Sequence, residues 1–297
     1  MPTWQWQLLR AGTFHLDGGA MFGILPKPMW ARMCDADLQN RVQLQTNCLL
    51  LTGEDGAKVL VEAGFGNKWA PKEVEIYGLE HRWIADALAE IGVGREEIDA
   101  VILTHLHFDH AGGVTFIERG HDQTDTGARP GDIASPQVTF PNATIYVQQQ
   151  EWDDALANRS TMTRTYLREH LDPIADQVRT VQGEAEVLPG IRVLPVPGHT
   201  WGQQAILFND AEGGLIFPGD VMPTVWHAHP ASSMAYDMLP YENMLTKQRL
   251  FELCLEQDLR WVLDHEPGNP VVRIARDEKR PDRFEVFPVV DAADDAG

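Results

Sequence analysis

Four short apolar runs, "AVIL", "RVLPV", "GLIF" and "WVLD", each lead into a histidine or an aspartate with glycine close by. Runs this short and this apolar read as buried strands. A titratable group at the end of such a strand cannot simply join the core, because burying it without a partner is costly. In α/β architectures reactive groups gather at the carboxyl ends of strands, where loops vary on a rigid sheet. Strands of this kind, alternating with helices and hairpins, predict an α/β (α+β) fold arranged as a four-layer αββα sandwich. No stretch reads as a linker, so residues 1–297 are expected to form one domain.

The remaining segments fit that plan. "CLLLTG" and "KVLVEAG" flank a Gly-Glu-Asp-Gly turn and predict a hairpin. Leu79 to Ile91 carries Leu79, Trp83, Ile84, Ala87, Leu88 and Ile91 at helical spacing, with Gly92 and Gly94 to stop it. Val114 to Gln137, with "TDTGARPGD" inside it, reads as a polar surface excursion. "ATIYVQQ" predicts a strand, "EWDDALAN" and "YENMLTKQRLFELCLEQ" helices, and "VVRIA" with "FEVFPV" a last hairpin. The acidic end, about 291–297, is expected to fray.

Charge narrows the partners. A formal net charge of −20 repels phosphate backbones and anionic lipid, so a small-molecule partner is favoured over nucleic acid or membrane. Cys34, Cys48 and Cys254 lie far apart without a CxxC, which predicts reduced core thiols and no thiolate zinc site. The start "MPTWQWQLLRAGTF" lacks a basic segment followed by an apolar one, and no uncharged apolar run nears the ~20 residues of a membrane span. A soluble, cytoplasmic protein is expected.

The donors in chain order are His105, His107, Asp109, His110, His199, Asp220 and His265. Imidazoles and carboxylates without thiolate suit zinc or another borderline divalent ion such as Fe, Mn or Co. Seven donors exceed one four-coordinate ion, so two ions with a shared carboxylate and water are expected. His105 and His107 alternate along an extended loop, and bulky Phe108 is expected to turn the chain so that Asp109 and His110 reach elsewhere. His227 and His229 form a second HxH and read as surface or pocket residues rather than ligands.

"HLHFDH", then "PGHT", then "GD", then a strand ending in His, resembles the metallo-β-lactamase superfamily, from roughly Cys48 to His265. The resemblance implies that fold, with His105, His107 and His199 on a first metal, Asp109, His110 and His265 on a second, and Asp220 bridging. The commonest true β-lactamases of the superfamily have cysteine where Asp220 stands, and its flavin-linked di-iron members have glutamate where His107 stands. The first difference disfavours antibiotic hydrolysis, and the second favours hydrolysis over oxygen reduction. "FHLDGGAMFGILPKPMW", "GDVMPTVWHAHP" and "MAYDMLPYENM" are similar to the YtnP-type quorum-quenching lactonases. That similarity implies a flap over about residues 10–35, with Met21, Phe22 and Trp30 against substrate and Trp226 and Tyr236 lining the pocket. The flap also allows a lid or a homodimer.

The implied reaction is opening of an N-acyl homoserine lactone or related ester by a hydroxide shared between two metals, with Asp109 or Asp220 moving the proton. Thioester, phosphotriester and β-lactam hydrolysis are alternatives on the same fold, as is a metal-retaining protein that only binds or senses its ligand.

Overall fold

The structure is a computed structural model, which describes residues 2–118, 135–162, 164–280 and 283–289. Its contacts divide the chain into two units. One unit, central in the sequence, takes Trp6–His15 and Gln45–Gln182, and the other, which flanks it in the sequence only, takes Met1–Gln5, Leu16–Leu44 and Gly183–Gly297.

The central unit is built on a six-stranded sheet. In chain order its strands are β1 (Gln5–Asp17), β2 (Arg41–Thr52), β3 (Lys58–Val61), β4 (Ala100–Ile102), β7 (Thr144–Gln148) and β8 (Val178–Val181), which also lie side by side in that order. The hairpin is antiparallel, with Leu49 opposite Val61 and Leu51 opposite Val59. From β3 onward the pairs are parallel. Parallel strands are covered on both faces, which explains why β4 is buried at every position and reads as an unbroken apolar run.

Leu60, Val101, Leu103, Ile145 and Val147 meet Ile84 and Leu88 in one core cluster. Ile84 and Leu88 sit on α4 (Ile84–Glu90), the fourth helix after α1 (Gly18–Phe22), α2 (Lys27–Trp30) and α3 (Pro71–Tyr77). That helix starts five residues later than the apolar spacing predicts. Glu80 is tied to β1 instead: its carboxylate accepts Thr13 N at 2.8 Å and Thr13 Oγ1 at 3.1 Å, while Arg82 Nε donates to Arg10 O at 2.8 Å. Asp86 then accepts the Trp83 N–H at 3.0 Å and opens the helix there. Gly92, at φ 73°, stops it as expected.

The polar excursion is rooted in structure. Its ends form a two-stranded ribbon, β5 (Thr115–Phe116) against β6 (Gln137–Val138), with Thr115 and Phe116 buried. "TDTGARPGD" lies outside the described residues. Three more helices follow the chain: α5 (Phe108–Ala111), α6 (Gln149–Leu156) and α7 (Arg168–Leu171).

The flanking unit carries a seven-stranded sheet of β9 (Ala185–Leu188), β10 (Ile191–Pro195), β11 (Gln204–Asp210), β12 (Gly213–Phe217), β13 (Arg260–Val262), β14 (Val271–Arg276) and β15 (Phe284–Pro288), again in sequential order. Every pair is antiparallel except β12 with β13. The expected final hairpin is β14 with β15. The long helix α8 (Pro240–Gln257) buries Leu250, Phe251 and Cys254 in a cluster with Trp261, Val272 and Ile274. Fully burying each large apolar side chain of this kind stabilises by about 1.5–3 kcal/mol. Cys48 and Cys254 are core thiols as expected, whereas Cys34 is only half-buried. The acidic end at 291–297 lies outside the described residues. Among those described, no helix is long and apolar enough to cross a membrane.

Candidate metal centre

In the central unit the chain leaves β4 and enters the histidine motif under tight control from its parallel neighbour β3. Glu62 follows β3, is 2 % exposed, and adopts φ 65°, a left-handed backbone uncommon for a residue with a side chain. Its carboxylate accepts Thr104 N at 2.7 Å and meets His110 Nδ1 at 3.1 Å. Glu151 does the same for the middle of the motif. It accepts Leu106 N at 3.0 Å and the Tyr166 hydroxyl at 2.9 Å, and the Tyr166 ring packs 5.0 Å from that of His107.

The three imidazoles are therefore close. The His105 ring lies 4.5 Å from His107 and 4.0 Å from His110, and His105 and His107 each turn a ring nitrogen to within 4.8 Å of the other. The change of direction expected at Phe108 is made by α5, whose amino end is capped at His107. Phe108 itself packs against Trp69 and Tyr77 at 5.2 and 5.5 Å. Asp109 and His110 ride on that single turn and are buried. Two glycines finish the motif because backbone crosses backbone there: a Cβ on Gly112 would lie 2.2 Å from Phe65 O, and one on Gly113 would lie 2.1 Å from Ala63 O. Lys68 donates to the carbonyls of Gly112 and Thr115, and burial drives its amine down to about 7.

The flanking unit carries a donor group of its own. Asp220 sits in a tight turn after β12, and His265 follows β13, the parallel neighbour of β12. Asp220 meets His199 Nε2 at 3.0 Å through one oxygen and His265 Nε2 at 3.3 Å through the other. Asp264, which the sequence reading passed over, is 1 % exposed and offers an oxygen within 4.8 Å of donor atoms on both Asp220 and His265. Its only signal in the sequence was its place at the end of "WVLD". Burial opposes a charge on His199, yet Asp220 and Asp237 at its two nitrogens outweigh that and push the ring up to about 10.

Every one of the seven predicted donors is buried, as are Glu62, Asp237 and Asp264. So many ionisable groups are stable away from water only when paired or bound to a cation. The donors are imidazole nitrogens and carboxylate oxygens, a set that fits borderline divalent metal ions.

Met21, Phe22 and Trp30 are 1–3 % exposed. Phe22 is stacked between Trp30 at 5.0 Å and His227 at 5.3 Å, with Trp226 6.2 Å away. His227 Nε2 donates to Met21 O at 2.9 Å, and its Nδ1 accepts from the Thr224 hydroxyl at 2.9 Å. Burial, helped by the charge on Lys247, pushes His227 down to about 4. Both its nitrogens are thus engaged away from metal. His229 is exposed, and its Nδ1 accepts Ala231 N at 3.2 Å. Trp226 and Tyr236 are half-buried.

This fold and these donors define a class. The metallo-beta-lactamase superfamily model matches residues 41–253, and the chain belongs to that superfamily. Within it, an N-acyl homoserine lactonase of Bacillus cereus is 28% identical over 188 residues, which cover 60% of this chain and 63% of the relative, so the chain spans under two thirds of that protein's length. A probable metal-dependent hydrolase from Staphylococcus aureus has a similar structure, with TM-score 0.82, 26% identity and coverage of 98% of this chain and 99% of that one. AidC, a dizinc quorum-quenching lactonase solved with its product, shares the fold at TM-score 0.74 and 15% identity over 98% of each chain.

Proposed function

We propose that this protein is a metal-dependent hydrolase that opens the ring of a lactone of the N-acyl homoserine lactone class. Buried imidazoles and carboxylates at the ends of β4, β12 and β13, steadied from behind by further carboxylates, are the observation that carries the reading. Following the superfamily pattern, His105, His107 and His199 would hold one divalent cation and Asp109, His110 and His265 a second, with Asp220 available to both; zinc would suit this set first. When bound, such ions bring water near neutrality in pKa and polarise a carbonyl.

The chain's own residues do the rest. An oxygen of Asp109 or Asp220 accepts the proton released as water attacks the lactone carbonyl. It returns that proton to the ring oxygen as the C–O bond breaks, so lactone and water give one hydroxy acid. Trp226 and Tyr236 are the pocket residues open enough to meet substrate, and Met21, Phe22 and Trp30 back them from within. The relative in Bacillus cereus, an N-acyl homoserine lactonase, supports the substrate class.

The test combines elemental analysis with turnover of homoserine lactones, thioesters and phosphotriesters. Two metal equivalents and preferred lactone turnover are expected, both lost in His107→Ala and Asp220→Ala. Metal-loaded protein that hydrolyses only another ester class, or an Asp220→Ala variant at full activity, would overturn the reading.

A further inference from the structure

The geometry points to Asp237, with Asn243, as the positioning pair that sets which nitrogen of His199 is free to bind metal. This rests on the reading of His199 as a ligand and goes further, to residues that no donor pattern contains. The Asp237 side chain is fully buried, and its Oδ1 lies 2.9 Å from His199 Nδ1. Its Oδ2 accepts two N–H groups at 3.0 Å, from Met234 N and from Asn243 Nδ2.

The backbone is tied as firmly as the ring. Met238 N donates to His199 O at 3.0 Å, and Leu239 N donates to Gly198 O at 2.8 Å. Gly198, at φ 154°, lets helix α8 approach: a Cβ there would stand 2.5 Å from the Asn243 Cα. Asn243 is 2 % exposed, in the first turn of that helix.

An ionised carboxylate only accepts. Oδ2 is committed to two donors, so Oδ1 demands a proton on His199 Nδ1 and leaves Nε2 as the nitrogen that can carry a lone pair to metal. A carboxamide in the same place has one accepting and one donating end. Met234 and Asn243 present two donors, so they claim the oxygen of the amide. Its NH2 then faces Nδ1 and forces the proton onto Nε2, the wrong tautomer for ligation. Asp237→Asn, nearly isosteric, is thus predicted to do more harm than its shape suggests. The exchange Asp237→Asn with Asn243→Asp reverses the logic. The new carboxylate attracts the amide NH2, the amide oxygen turns back to Nδ1, and only the Met234 N–H is left facing a poor partner.

The experiment uses the full chain in three forms: parent, Asp237→Asn, and the exchanged pair. Zinc affinity is read by competition with a chelator, and the Nδ1 state of His199 by nitrogen-15 NMR of the imidazole rings. In Asp237→Asn one of the two zinc ions should bind about 10- to 100-fold more weakly, with Nδ1 unprotonated. The exchanged pair should regain a protonated Nδ1 and part of the affinity. Parent-like zinc binding with a protonated Nδ1 in Asp237→Asn overturns the inference. Should Asp237→Asn not fold, recovery in the exchanged pair supports it and continued loss overturns it. A parent that binds no zinc defeats the ligand reading of His199 separately, and the NMR then decides the role of Asp237 alone.

Discussion

Gly113→Ala is the sharpest probe of how the histidine motif is built. The added Cβ would stand 2.1 Å from Ala63 O and 2.9 Å from Ile84 Cγ2. Ordinary carbon–oxygen contacts begin near 3.3 Å, so the two backbones must part by about 1.2 Å. They are also stitched together, by Gly113 N to Gly64 O and by Ala63 N to His110 O, both at 2.9 Å. Stretching both bonds costs about 1 kcal/mol each, and overpacking adds about 1–3 kcal/mol, for roughly 3–5 kcal/mol in all. At about 2 °C per kcal/mol for a chain of this size, the melting midpoint should fall by roughly 6–10 °C. His110 rides on the displaced segment, so zinc affinity should fall with it. Gly92→Ala is the control, since its Cβ meets nothing within 4 Å and only its φ of 73° resists, at about 1–2 kcal/mol. Thermal melts and zinc titration of the two variants decide the matter. A Gly113→Ala protein that melts with the parent, or below which Gly92→Ala falls, refutes the close-approach account.

Two further expectations concern buried groups. His227 titrates near 4 in the folded chain against 6.5 when unfolded, so the unfolded chain binds the extra proton between those values; its contribution is complete above pH 6.5 and disappears as pH falls toward 4, about 3 kcal/mol in total. Urea midpoints measured across that window should slope upward with pH in the parent and flatten in His227→Gln; equal slopes would contradict the assignment. At Glu62, replacement by alanine strands the Thr104 N–H and frees His110, costing about 1–3 kcal/mol per lost bond, whereas glycine loses the same bonds but recovers about 1 kcal/mol of left-handed strain. Glu62→Gly should therefore denature at higher urea than Glu62→Ala, and the reverse order would show that φ 65° carries no strain.

What could be read from the amino acids alone depended on how local the signal was. The β2–β3 hairpin, the buried β4 and helix α8 are each set by spacing within a few residues, and all appear as expected. The start of α4 was misplaced because Leu79 has the right periodicity, while the forces that hold Glu80 and Arg82 in an extended course come from β1, some 70 residues away. Glu62 and Asp237 escaped notice for a related reason. A single carboxylate carries no pattern, and its meaning comes from the histidine it faces, 48 and 38 residues distant respectively. The two histidines of the second HxH part company for a similar reason, since His227 is drawn inward by Met21 and Phe22, about 200 positions earlier, while His229 stays exposed.

The order in which the two units collect their chain has a consequence for biosynthesis. The central unit is complete once Gln182 has left the ribosome, whereas Leu16–Leu44 belongs to a unit whose sheet begins at Ala185. Met21, Phe22 and Trp30, all buried in the finished protein, are thus translated early and have no lasting home until the last third of the chain emerges. At roughly 5–20 residues per second that interval lasts many seconds, with apolar surface open to solvent or to a chaperone. Slowing translation after codon 182 should lengthen it and lower the soluble yield without altering the native protein.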